Sequence, residues 1–208
     1  GAPSNDRILI CVHGLSRQGR DFDTLARSLC QHYYVVCPDV VGRGESDWLA
    51  DPKGYQVFGY VADMVALVQH LRAQRQASAP IEIDWVGTSM GGLIGLGFST
   101  LPPEVSGARL RKFVLNDVGP RLRHDAIVRI GEYTPEQWLA LCRTLLRPAA
   151  DGHGLILHYD PAIAEPFRAV SADSASSGEA ALWQIYDGLR CQVLLLRGRD
   201  SDLLDAET

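Results

Sequence analysis

The chain has 208 residues, enough for one domain with a substantial core or one domain carrying an inserted lobe. With 46% hydrophobic and 22% charged residues and no apolar run of membrane-spanning length, it reads as a soluble globular protein rather than a membrane protein. A formal net charge of −5 argues against nucleic acid or an anionic membrane as partner, and five scattered cysteines without Cys-x-x-Cys spacing point to neither a disulfide framework nor a zinc site.

Taken in order, Gly1 to Asp6 carry neither the basic nor the apolar part of a signal peptide, and a reducing cytoplasm is the simplest compartment. Arg7 to Val12 is a short continuous apolar run, expected to be a buried parallel strand, and it ends at His13-Gly14-Leu15. Phe22, Leu25, Ala26 and Leu29 share one helical face, with Asp21 as the expected N-cap. Tyr34 to Cys37 is a second strand, stopped by Pro38. The loop from Asp39 to Asp47, with Gly42-Arg43-Gly44 at its centre, is too glycine-rich and polar for a regular element. Val61, Met64, Val65 and Val68 predict a helix over 57–75.

Next comes Ile81-Glu82-Ile83-Asp84-Trp85-Val86, a strand pattern running into Gly87-Thr88-Ser89-Met90-Gly91 and then a small-residue helix. Gly-x-Ser-x-Gly in a strand–turn–helix context is a nucleophile elbow. The turn is tight enough that side chains two positions either side of the serine would collide, and Gly87 and Gly91 remove them. Arg111 to Leu115 predicts a further strand, ending at Asn116-Asp117-Val118-Gly119-Pro120. From Arg121 to Tyr186 the pattern changes. Thr134-Pro135-Glu136-Gln137 is a capping box backed by Trp138, Leu141, Cys142 and Leu145. A Gly/His/Asp-rich loop, the segment 155–170, a Ser/Ala/Asp-rich stretch at 171–178 and a helical segment with Leu182, Trp183, Ile185 and Tyr186 follow. Cys191 to Leu196 resumes the strand pattern and ends at Gly198-Arg199-Asp200-Ser201-Asp202.

Strands alternating with helices at this spacing predict right-handed βαβ units and an α/β fold with a mostly parallel, doubly wound sheet. Residues 1–119 and 188–208 form its core, and 120–187 are a mainly helical cap inserted into it.

These motifs in this order (His-Gly after the first strand, Asp-x-x-Gly-Arg-Gly-x-Ser after the second, Gly-x-Ser-x-Gly after the third) resemble the α/β-hydrolases. The closest likeness is to the capped group of esterases and carbon–carbon bond hydrolases. The resemblance implies Ser89 as nucleophile and an oxyanion hole made by the backbone N–H groups of Leu15 and Met90. It implies an acid after the strand that follows the cap. Asp202, followed by two leucines, fits that pattern best, with Asp200 and Asp117 as alternatives. It further implies a histidine after the acid. His158 is the last histidine in the chain, so the expectation is that the base, the last strand and the final helix lie beyond Thr208. A second omission is expected near Gly131-Glu132-Tyr133-Thr134. His13 is expected to brace the oxyanion turn, His32 and His70 to be solvated, and His124, His153 and His158 to belong to loops or the cap.

The chemistry stands beside the resemblance. A serine hydroxyl needs a neighbouring base and a place for the charge that develops on the carbonyl oxygen. Met90 N–H opens a helix, where backbone donors are unpaired and the dipole favours an anion. Serine, rather than aspartate, at the elbow points to acyl transfer on an ester, thioester, lactone or ketone-type small molecule, with no metal or organic cofactor. Trp138, Tyr159, Phe167, Trp183 and Tyr186 either line an acyl pocket or form the cap's own core. Arg43 is read as half of a structural ion pair, with a substrate carboxylate as the other possibility. A non-catalytic ligand-binding member of the fold and a cofactor-free haloperoxidase or perhydrolase are the rival readings.

Overall fold

The computed structural model describes residues 1–121, 145–149, 151–168, 172–201, 203–204 and 208. Its strands are β1 (Ile8–Val12), β2 (Tyr34–Val36), β3 (Ile81–Thr88), β4 (Ala108–Asn116), β5 (Leu146–Pro148), β6 (Leu155–Leu157) and β7 (Gln192–Leu196). Its helices are α1 (Asp23–Leu29), α2 (Val57–Gln74), α3 (Met90–Ser99), α4 (Pro103–Ser106), α5 (Glu165–Arg168) and α6 (Ala172–Asp187). Five strands form one parallel sheet in the order β2-β1-β3-β4-β7. β1, buried throughout, and β2 are short runs of β-branched and other apolar residues, whereas β3 and β4 carry charged residues in their first halves and the edge strand β7 is largely exposed.

Alternation along β1 builds two cores from one strand. Ile8, Ile10 and Val12 face the larger one, with Trp85 and Phe113 from the neighbouring strands, Met64 and Val68 of α2, and Ile94 and Phe98 of α3. Leu9 and Cys11 face the other way, onto Phe22 and the partly buried Leu25 and Leu29 of α1. Helices therefore cover both faces of the sheet, as the doubly wound pattern predicts. Trp85 anchors the larger core. Its ring lies 5.6 Å from Phe98 and 6.5 Å, edge-on, from Phe113.

The predicted elements before residue 120 are all present, with ends shifted by a few residues. Asp21, expected to cap the first helix, does not. It lies in a 3-10 turn (Gly19–Phe22) ahead of α1 and accepts from Arg17 Nε at 2.7 Å, while Phe22 takes the cap position without a side-chain bond. Between β4 and β7 the described residues lie outside the five-stranded sheet. The Gly/His/Asp-rich loop is the tip of an antiparallel hairpin, β5–β6, where Gly152 and Gly154 both adopt positive φ. The small-residue stretch at 171–178 lies largely within α6, since alanine is the strongest helix former and the small polar residues beside it are tolerated. Leu182, Ile185 and Tyr186 of α6 pack against the main core. The predicted capping box at 134–137 lies outside the described residues.

Candidate active site

The strand order reverses between β1 and β3. The chain goes from β1 out to β2, then returns to place β3 on the opposite side of β1. In open α/β sheets the crevice beyond the carboxyl ends of the strands at such a switch point is where ligands bind. Two pieces of backbone flank it here, His13-Gly14-Leu15 after β1 and Ser89-Met90 after β3.

Ser89 has φ 50° and ψ −116°, a backbone region that residues with side chains rarely enter. The surroundings hold it there. Ser89 N–H donates to the Asn116 carbonyl at 3.0 Å, and the Ser89 carbonyl accepts from Gly92 N–H at 2.8 Å. A Cβ on Gly87 would run into the Gly91 carbonyl, and one on Gly91 would run into the Val12 carbonyl. Both glycines are therefore required by close approach of backbone to backbone. Trp85 Nε1–H donates to the Gly91 carbonyl at 3.1 Å, tying the sheet's buried indole to the first turn of α3. Ser89 itself is partly exposed. A Cβ on Gly14 would lie 3.7 Å from Ser89 Cβ, so the turn after β1 passes directly beside the serine.

That turn is braced by His13, which is 1% exposed. Val40 N–H donates to His13 Nε2 at 2.9 Å, so Nε2 is the bare nitrogen and Nδ1 carries the proton, donating it to the Gly14 carbonyl at 2.7 Å. Burial pushes the imidazole below its ordinary pKa, and the nearby Arg43 charge adds to the effect. The Gly14 carbonyl also accepts from Arg17 N–H at 3.2 Å. Because the peptide is planar and trans, fixing the Gly14 carbonyl fixes the Leu15 N–H to point the opposite way. Met90 is the first residue of α3, so its N–H has no carbonyl one turn back. Among the described residues neither of these two N–H groups has an intramolecular acceptor. With both ring nitrogens committed to backbone, His13 braces the turn, as expected, and is unavailable as a base.

The loop after β2 contributes what sequence reasoning missed. Arg43 is fully buried, and among the described residues it meets no carboxylate, contrary to the ion pair expected. Nε donates to the Leu15 carbonyl at 2.7 Å, Nη1 to the Val41 carbonyl at 2.8 Å and the Tyr60 hydroxyl at 3.0 Å, and Nη2 reaches Met90 Sδ at 3.5 Å. Gly42 and Gly44, on either side of Arg43, both take positive φ. Asp39 shapes the same loop, accepting from Gly19 N–H at 2.6 Å and Glu45 N–H at 3.0 Å.

Two of the candidate acids, Asp117 and Asp200, follow neighbouring strands of the sheet. Asp117 follows β4 with φ 55°, and its carboxylate accepts from Gly198 N–H at 3.3 Å. Asp200 is exposed on the turn after β7, and Asp202 lies outside the described residues. Of the other histidines, His70 meets Gln74 and His158 meets Glu45 at 3.2 Å, while His124 lies outside the described residues. No described histidine hydrogen-bonds Ser89. Tyr159 and Tyr186 pack against the main core and Trp183 stacks edge-on with Tyr186 at 6.1 Å, whereas Trp138 and the Phe167 side chain lie outside the described residues. Among the described residues no group of three or more His, Cys, Asp or Glu is arranged to hold a metal, and no helix is long and apolar enough to cross a membrane.

Comparison with known proteins identifies the family. A model of the family described as serine aminopeptidase, S33, matches residues 3–153. The chain is 45% identical, over 237 aligned positions, to the 3-hydroxybutyrate-oligomer hydrolase of Cupriavidus necator, covering all of this chain and 77% of that one. An α/β hydrolase from Novosphingobium aromaticivorans is similar in structure, with a TM-score of 0.74 and 29% identity over 99% of this chain and 77% of its own. E-2-(acetamidomethylene)succinate hydrolase, at 21% identity and a TM-score of 0.71, shares the fold, covering 97% of this chain and 76% of that one. The chain belongs to the serine aminopeptidase S33 family of α/β-hydrolases, and it is a hydrolase.

Proposed function

We propose that the chain hydrolyses short-chain carboxylic esters through an acyl-enzyme on Ser89. Ser89 Oγ attacks the ester carbonyl, the carbonyl electron pair moves onto oxygen, and the Leu15 and Met90 N–H groups receive that oxyanion. The proton of Ser89 Oγ passes through a general base to the oxygen of the alcohol, which leaves as the carbonyl re-forms. Water then attacks the acyl-enzyme with the same base taking its proton, the acid is released and the proton returns to Ser89 Oγ. Asp202 is the proposed acid, with Asp200 and Asp117 as alternatives, and residues 120–187 are the proposed lid. The observation that carries this reading is the positive φ of Ser89, enforced by Gly87 and Gly91 at the switch point of the sheet. Identity of 45% to a 3-hydroxybutyrate-oligomer hydrolase favours linear esters of short hydroxy acids over the ketone-type substrates of carbon–carbon bond hydrolases.

The test is fluorophosphonate labelling followed by substrate comparison. One equivalent of label on Ser89, absent in Ser89→Ala, is expected. Dimers and trimers of 3-hydroxybutyrate and p-nitrophenyl butyrate are expected to turn over, with a ring-cleavage dienone inert. Full activity in Ser89→Ala would end the proposal. Replacing Asp117, Asp200 and Asp202 singly with Asn identifies the acid as the one whose loss lowers kcat most.

A further inference from the structure

Leaving a cation in a protein interior carries a large desolvation cost, so the hydrogen bonds of a buried arginine are expected to do something an apolar side chain would not. Two of the four contacts of Arg43 go to the residues that flank Ser89, one to backbone and one to a side chain. Its Nε holds the Leu15 carbonyl, one peptide beyond the Leu15 N–H, and its Nη2 touches the side chain of Met90. These residues belong to separate βα units, and nothing covalent keeps them in register. The guanidinium is itself immobilised. Nη1 is shared by the Val41 carbonyl and the Tyr60 hydroxyl, and the Tyr60 and Tyr55 ring centroids lie 4.9 and 5.6 Å from the guanidinium carbon. A planar fork with donors at fixed angles suits this bridging role, whereas an ammonium is a point charge.

We propose that Arg43 is a positioning residue for the hydrolysis, setting the separation and orientation of the Leu15 and Met90 N–H groups while its buried charge favours the anionic tetrahedral state over the neutral ester. The inference rests on the reading of those two groups as the oxyanion donors. Arg43 touches no reacting atom. It acts through the backbone it holds, so its removal lowers kcat rather than raising KM.

Arg43→Met, Arg43→Lys and Tyr60→Phe are compared with the parent enzyme on a p-nitrophenyl ester, each rate being expressed per chain labelled to completion by a fluorophosphonate. Affinity for a phenylboronic acid, which binds serine as a tetrahedral anion, and thermal midpoint are measured alongside. Both Arg43 variants are expected to lose roughly 10- to 100-fold in kcat per labelled chain, with KM within about threefold, and boronate affinity falling in step. Tyr60→Phe is expected to lose about 2- to 10-fold in the same two readouts. A lowered thermal midpoint with parental kcat per labelled chain and parental boronate affinity would make Arg43 a packing residue and overturn the inference. Should Arg43→Met fail to fold, parental values in Arg43→Lys and Tyr60→Phe together would overturn it equally. A parent protein that takes no label at Ser89 overturns the proposed function, and this inference with it. A labelled parent with unaffected variants overturns this inference alone.

Discussion

Ser89 sits where a side chain is unwelcome, and the fold holds it there at a cost. A non-glycine residue at φ 50° and ψ −116° stores about 1–3 kcal/mol of strain. Glycine adopts that conformation freely, though it gives back about 0.5–1 kcal/mol through the greater freedom of its unfolded chain. Ser89→Gly is therefore expected to abolish fluorophosphonate labelling while leaving the urea unfolding midpoint unchanged or raised. A midpoint lowered by more than Ser89→Ala lowers it would show that the serine is not strained. The glycines at 87 and 91 admit no such exchange, because the atoms a Cβ would meet are backbone carbonyls rather than movable side chains.

At the scale of elements, the loop after β2 and the segment after β6 are laced together. Gly44 N–H donates to the His158 carbonyl and Asp160 N–H to the Gly42 carbonyl, and Arg43 and Tyr159 form a β-bridge between them. Tyr55 locks the joint, its hydroxyl donating to Asp160 Oδ2 at 2.5 Å and accepting from Leu49 N–H at 2.8 Å. Burial and the Asp160 carboxylate push its phenol up to about 12, so it remains the donor throughout the neutral range. Tyr55→Phe leaves the part-buried Leu49 N–H and the buried Asp160 carboxylate short of a partner and is expected to cost about 1–3 kcal/mol. The check is a lower urea midpoint at constant m value, and an unchanged midpoint would show the joint to be dispensable.

This joint also marks where legibility in the sequence stops. The five strands of the parallel sheet, and the elbow with its two glycines, follow from local composition and from a turn too tight for side chains, so they are visible in a single sequence, whereas the short β5–β6 hairpin is not. Arg43 is not, because its partners Leu15, Tyr60 and Met90 lie 28, 17 and 47 residues away and its role depends on burial. Asp21 misleads for a related reason. A carboxylate before an apolar helical face looks like a cap, yet Arg17 one turn back claims it. Both cases are side chains choosing among partners, a choice settled by packing rather than by pattern.

For the whole molecule, the brace at His13 makes stability depend on pH. In the folded chain the imidazole is neutral, buried, and bonded through Nε2 to Val40 N–H, an acceptor role that protonation destroys. Burial lowers its folded pKa, while the unfolded chain titrates near the ordinary histidine value of about 6.5. Below that value the unfolded state binds the proton and the folded state resists it, so stability rises with pH across the interval. The contribution is complete above about 6.5 and is lost progressively as pH falls toward the depressed folded value. The comparison that isolates His13 from the other histidines is between the parent and His13→Gln. The parent is expected to lose thermal midpoint steadily between pH 7 and pH 5, whereas the variant, less stable at pH 7, loses less over the same span. Parallel midpoint curves for the two proteins would show that this imidazole does not carry the dependence. Because the same ring sets the Gly14 peptide, the acid loss of stability should coincide with loss of ester hydrolysis before global unfolding, measurable as a fall in kcat at pH values where the near-UV circular dichroism is still native.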